Sequence, residues 1–193
     1  MEKYTERCYN ALMEIEGKKV LLHICCAPCS IYTIKHLRNE GAQVSGFFYN
    51  PNIHPYTEFQ RRLETLNHYA KIALIPLSVD SSYDLEAFLM GALEHGKDRC
   101  LFCYRMRLEK TFLKGVEAGA EAITTTLLYS KYQRHDDIKA IGEGLAGTYG
   151  IPFLYRDFRE GWKYGIEESK KINMYRQQYC GCIFSEKERY GGG

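Results

Sequence analysis

The sequence predicts an α/β fold, a single domain spanning residues 1–193 with a mostly parallel sheet flanked by helices. Two observations carry this reading. Short, β-branched apolar runs alternate along the chain with longer segments of helical periodicity, the pattern of parallel strands joined by crossover helices. A chain of 193 residues, 45% hydrophobic and 26% charged, also fills one core and leaves little for a second.

The elements follow in order. Lys3–Glu16 has helical periodicity and is closed by Gly17. Val20–Ile24 is a short apolar run, hence a buried strand. Pro28 suits the first turn of a helix running to about Asn39, with Gly41 just past its end. Val44–Tyr49 is a second strand, and Pro51 and Pro55 mark the loop behind it. Thr57–Ile72 is helical and Leu74–Val79 a third strand. Helices are expected over Asp84–Glu94 and Cys103–Ala118, then a threonine-rich fourth strand over Ala122–Leu127. A helix over Asp136–Tyr149, a fifth strand over Pro152–Tyr155 and a last helix over Glu167–Gln178 complete the chain. The order is Rossmann-like and resembles the nucleotide-hydrolase-like α/β layout. Ligands of such sheets bind beyond the carboxyl ends of the strands.

A net charge of +2 implies no particular partner. Locally, Lys97–Lys114 carries six Lys/Arg against two acids, a pattern that suits either phosphate binding or one solvated helix face. Met1–Asn10 is charged where a signal peptide needs an apolar run. No stretch approaches the roughly 18 apolar residues of a membrane helix, so a cytoplasmic location without a membrane partner is expected. Thiols stay reduced there, and structural disulfides do not account for eight cysteines. Seven of the eight fall in three short groups; Cys8, alone on the first expected helix, reads as a core residue.

The first group, Cys25, Cys26 and Cys29, follows the first strand directly. Neighbours on a strand point to opposite faces, so Cys25 and Cys26 share a ligand only if the extended chain stops near Cys25. Pro28 makes that break, and the free N–H groups of the next helix then favour anionic sulfur. The alternative is a set of small buried hydrophobes. The second group, Cys100 and Cys103, is spaced to put both sulfurs on one helix face. CxxC serves zinc, iron–sulfur clusters and thioredoxin-like dithiols alike. A Cys₄ zinc site built from Cys25, Cys26, Cys100 and Cys103 is a serious alternative, although more than 70 residues between the pairs is no zinc-ribbon spacing. The third group, Cys180-Gly181-Cys182, is a pair whose disulfide would close a small, labile ring, and whose reduced dithiol can supply two electrons and two protons.

Two loops reach the same rim. Tyr129–Asp137 follows the fourth strand; there His135 is a candidate proton donor or metal ligand, and Asp136 either shares that role or caps a helix. Tyr49–His54 follows the second strand and offers Asn and His to a substrate. Sixteen tyrosines provide aromatic surfaces for bases, or simply for packing.

HICCAPCS (His23–Ser30), FYNPNIHP (Phe48–Pro55), CxxCYxxRLEKT (Cys100–Thr111), SKYQRHD (Ser130–Asp136) and YRQQYCGCIFS (Tyr175–Ser185) together resemble epoxyqueuosine reductase of the QueH type, the cobalamin-independent family. The resemblance spans nearly the whole chain. It implies a [4Fe-4S] cluster and the reductive deoxygenation of epoxyqueuosine in tRNA, the last step of queuosine synthesis, driven by an external electron donor. Carried over by motif, Cys25, Cys26, Cys100 and Cys103 ligate the cluster, and Cys180 and Cys182 form a redox-active pair. Cys29 stays open, with an additional iron as one role. Three rivals remain. A tRNA thiolase of the ATP-pyrophosphatase type should carry SGGxDS after the first strand, where this chain has Cys26-Ala27-Pro28-Cys29-Ser30. A structural zinc module and a plain dithiol oxidoreductase are the others.

Overall fold

The protein is described by a computed structural model, over residues 13–192. Its strands are β1 (Lys19–His23), β2 (Gln43–Phe48), β3 (Leu77–Val79) and β4 (Ala122–Thr125). The helices are α1 (Ala27–Asn39), α2 (Tyr56–Ala73), α3 (Leu85–Glu94), α4 (Arg99–Ala118), α5 (His135–Tyr149), α6 (Trp162–Lys171) and α7 (Ile183–Tyr190). All strands pair in parallel, in the order β3-β2-β1-β4. This is the α/β architecture the alternation predicts, with helices covering the sheet.

Parallel pairing puts every carboxyl end on one rim. His23 lies opposite Phe47 on one side and Thr125 on the other. The chain runs outward from β1 through β2 to β3, then crosses to β4 on the far side of β1. The topological switch point therefore lies between β1 and β4, where such sheets place their ligands. β1 is buried from Val20 to His23, as expected of a strand covered on both faces. Burial and the nearby Arg107 charge hold the His23 imidazole down at about 4. As a neutral ring it accepts from Thr125 Oγ1 through Nδ1 (2.9 Å) and donates to the Tyr49 carbonyl through Nε2 (3.2 Å), so one buried side chain ties the three strand ends together.

Several expectations need correction. The third strand is shorter than predicted, because α2 closes with Leu74 in the left-handed region (φ 51°) and β3 begins only after Pro76. The fourth strand stops at Thr125, whose Oγ1 accepts from the Leu127 N–H (3.1 Å) and turns the chain into a 3-10 helix over Thr126–Tyr129. The fifth strand reduces to one parallel bridge, Ile123 to Phe153. Beyond it the Asp157 carboxylate accepts from the Arg159 N–H and opens another 3-10 turn. The last predicted helix starts and ends early, as α6. Asn173 adopts φ 49°, and the Met174 N–H closes back on the Ser169 carbonyl (2.8 Å). Met174–Cys182 is irregular, and α7 follows unpredicted. The first predicted helix falls largely outside the described residues, as does Cys8; Met13–Ile15 are not helical, and Met13 and Ile15 enter the core.

Candidate active site at the carboxyl rim

Where β1 ends, Cys26 becomes the extended N-cap residue of α1 (φ −164°, ψ 156°), and proline occupies the first turn. The strand alternation stops there, and Cys29 sits one helical turn on. The Cys25 and Cys26 sulfurs lie 3.8 Å apart and those of Cys26 and Cys29 2.8 Å, with all three within 4.8 Å of one another. Thr126, across the switch point, accepts from the Cys25 N–H (3.0 Å) and donates its hydroxyl to the Cys25 sulfur (3.3 Å). Gln177 Nε2 donates to the Cys26 sulfur (2.8 Å) and reaches that of Cys29 (3.5 Å). Hydrogen bonds from Cys26, Cys29 and Thr126 hold the Cys25 thiol well below its ordinary range, whereas burial pushes Cys26 up. Three soft sulfurs converging at a helix N-terminus can hold a metal ion. Cys29, whose role the sequence leaves open, belongs to this group.

Cys100 and Cys103 lie on the first turn of α4, as their spacing predicts. Cys103 packs with Phe88 and Ala92, and Cys182 and Phe184 lie against this cluster. Burial pushes the Cys103 thiol up to about 12; Arg107 opposes that shift, and Cys180, Cys182 and Cys100 add to it. Cys100 is likewise raised by burial and by Cys182. The C-terminal pair thus faces the α4 pair, and all seven described cysteines are free thiols.

Arg107 stands one helical turn after Cys103 on α4. It is 1% exposed, its Nε donates to the Cys103 carbonyl (3.1 Å), and its Nη2 is buried without a hydrogen-bond partner. Burial lowers its pKa, and the neighbouring Cys103, Cys180, Cys25 and Tyr104 outweigh that and raise it. A buried guanidinium costs several kcal/mol unless negative charge compensates it. Of the sulfurs that act on it, Cys25 is the one held toward the thiolate.

The segment carrying Cys180 and Cys182 is tied down by α2 and the loop before it. Arg62, 2% exposed, donates through Nη1 to the Cys180 carbonyl (2.9 Å), through Nη2 to that of Tyr179 (3.1 Å), and through Nε to Glu58 (2.6 Å). Tyr175 adds a hydroxyl to the same carboxylate (2.6 Å). The His54 N–H donates to the Gly181 carbonyl (2.7 Å), His54 Nδ1 accepts from the Ile183 N–H (3.3 Å), and the Tyr179 hydroxyl donates to the His54 carbonyl. Cys180 itself is exposed and accepts from Gln133 Nε2 (3.3 Å).

The remaining predicted residues are placed as follows. His135 is the first residue of α5; its Nε2 donates to the Ser130 carbonyl (3.1 Å), and the charges around it are Arg159, Asp157 and Asp136. Asp136 is not the helix cap, a place taken by Arg134, but lies in the first turn, where acids favour the helix dipole. Asn50 holds the Ile24 carbonyl (2.9 Å). The basic run Lys97–Lys114 is no continuous patch: Arg107 is buried, and Arg99, Lys110 and Lys114 pair with Glu188, Asp80 and Glu117. Sequence reasoning missed Arg62 and Arg107. For Arg107 a signal was available, since it stands four residues after Cys103 and shares its helix face.

The chain matches the family model described as epoxyqueuosine reductase QueH over residues 20–188, a span that includes all three cysteine groups. It is 37% identical over 173 residues to a protein of that name from Dehalococcoides mccartyi, covering 90% of this chain and 95% of the relative. A Thermotoga maritima protein with the same name is 35% identical over 179 residues, covering 88% and 91%. One from Acinetobacter baylyi is 34% identical over 178 residues, covering 88% and 81%. With a family model matched over residues 20–188 and relatives of 34–37% identity covered over most of both chains, this chain, with its parallel sheet and sulfur-lined rim, belongs to the epoxyqueuosine reductase QueH family.

Proposed function

We propose that this protein deoxygenates epoxyqueuosine in tRNA to queuosine, as a metal-dependent oxidoreductase. The observation that carries this reading is the convergence of three thiols at the switch point, in a chain of this family. Removing the epoxide oxygen consumes two electrons and two protons and releases water. Oxidation of two thiols to a disulfide supplies the same numbers, and the Cys180/Cys182 pair is assigned that role, with an external electron donor restoring it.

The residues suit their parts. An ordinary thiol keeps its proton at neutral pH, so Cys180 has one to give to the departing oxygen. Exposure makes it accessible to substrate and reductant. Gln133 holds its sulfur, and Thr126 and Gln177 hold those of Cys25 and Cys26. His135, bonded to Ser130, anchors the loop that carries Gln133, which favours Cys180 and Cys182 over His135 as proton donors.

The donor chemistry suits an iron–sulfur group: three soft thiols converge at the start of α1, and two more lie at the start of α4. Cys25, Cys26, Cys100 and Cys103 are assigned to a [4Fe-4S] cluster and Cys29 to an additional iron, which together would supply single electrons and Lewis acidity. Anaerobically purified protein should contain iron and acid-labile sulfide; a colourless protein holding zinc alone defeats the cluster assignment. Cys182→Ser should lose multiple turnover on tRNA bearing epoxyqueuosine. Unchanged turnover would remove the dithiol from the scheme.

A further inference from the structure

A base that reacts inside a protein leaves its neighbours unstacked, and the protein must offer those neighbours a π-surface and their phosphates a cation. One place on the rim has both. Tyr132 is 84% exposed, an unusual position for a large aromatic ring unless it serves a partner. Its loop is held from several sides: the Tyr132 N–H donates to Ser130 Oγ (3.2 Å), Gln133 accepts from the Tyr104 hydroxyl (2.9 Å), and His135 secures Ser130. The ring therefore projects from an anchored loop.

Tyr132 meets Trp162 edge-on, with centroids 6.1 Å apart at 76°. Trp162, the single tryptophan of the chain, stacks on Tyr129 at 5.4 Å and 27°. The Tyr129 hydroxyl donates to the Trp162 carbonyl (3.1 Å), and Gly165 leaves no room beside it, since an added Cβ would lie 2.2 Å from that oxygen. At its inner end this row of rings enters the buried core that also holds Cys26 and Cys29, through Tyr129. At its outer end Lys131 places Nζ 5.7 Å from the Trp162 ring, and Lys163 is exposed on the next residue of α6. A narrow aromatic step flanked by ammonium groups fits a nucleotide better than the broad apolar face of a protein.

We propose that Tyr132 and Trp162 form a stacking platform for an unpaired nucleotide flanking the modified base, with Lys131 on its phosphate. The proposal rests on the tRNA reading above and adds the surface by which RNA is held. Trp162 is a built-in reporter. The holoprotein is titrated with an RNA hairpin of the anticodon stem-loop type lacking the modified base, following Trp162 emission and, independently, the anisotropy of labelled RNA. Saturable emission change is expected. Tyr132→Ala should weaken binding about tenfold, the loss of one stacked base, and Tyr132→Phe should restore it. Lys131→Gln should reduce the slope of log affinity against log salt by about one. RNA bound by anisotropy with unchanged Trp162 emission, or with wild-type affinity in Tyr132→Ala, overturns the platform alone. An RNA hairpin and a full tRNA that both fail to bind the wild-type holoprotein overturn the tRNA reading along with it.

Discussion

Cys25, Cys26 and Cys29 are placed by the backbone of one strand end and one helix start, whereas Cys180 is placed by side chains from elsewhere in the chain. The backbone that brings the first group together is local: β1 stops, Pro28 starts α1, and the sulfurs converge, with Thr126 and Gln177 bonding to them from afar. The second lies in a segment with neither helix nor strand before α7, held by Arg62 and Glu58 on α2 and by His54. The difference separates a sulfur group set by local backbone from a segment set by long-range hydrogen bonds, a contrast that suits the metal site and redox pair proposed above. A metal site gains from preorganised ligands, and a redox pair gains from a segment free to pucker and relax.

The largest test of this contrast is Arg62→Ala. Removing it leaves Glu58 buried without its guanidinium and frees two carbonyls, so a loss of about 3–5 kcal/mol is expected, read from the urea midpoint. Hydrogen exchange should rise over residues 175–182 more than over β1 and α1; equal loss in both regions would erase the distinction. Gly181→Ala is the next. Gly181 sits at φ +143°, and an added Cβ would meet Ile53 Cγ1 at 3.1 Å, Asn52 Nδ2 at 3.2 Å and Arg62 Nη1 at 3.3 Å. Backbone strain there costs about 1–3 kcal/mol. Alkylation of Cys180 should accelerate while protection of the β1 and α1 amides stays as it was.

The smallest expected effect is one of pH. Burial lowers His54 below its ordinary 6.5, and its Nδ1 must stay unprotonated to accept from Ile183. A histidine whose folded pKa is depressed contributes fully above 6.5 and loses that contribution as pH falls below it, because the unfolded state takes up its proton first. Exchange and proteolysis within the segment carrying Cys180 should therefore rise on acidification below 6.5, and His54→Gln should flatten that dependence.

The contrast also explains what could be read in advance. Four strands and most helices were legible, because their signals are local: β-branched runs, helical periodicity, and glycine or proline at the ends. Pro28 behind Cys26 was enough to anticipate that neighbouring cysteines leave the strand together. The fifth strand was not legible as a single bridge, since Pro152–Tyr155 has strand composition and only the Asp157-capped turn cuts it short. Met174–Cys182 read partly as helix because its residues do not forbid one. The Asn173 turn and the bonds from Arg62, 117 and 118 residues away in sequence, override that local preference.

The amino-acid order alone therefore determined the parallel α/β class and the clustering of Cys25, Cys26 and Cys29 where the first strand ends. Each follows from interactions among residues close in the chain. The tertiary structure decided that Cys100 and Cys103 face the C-terminal pair and that Arg107 is buried beside Cys103. Those outcomes depend on which distant surfaces exclude water together, and a guanidinium buried beside sulfur acquires its partners only when the chain has closed around it.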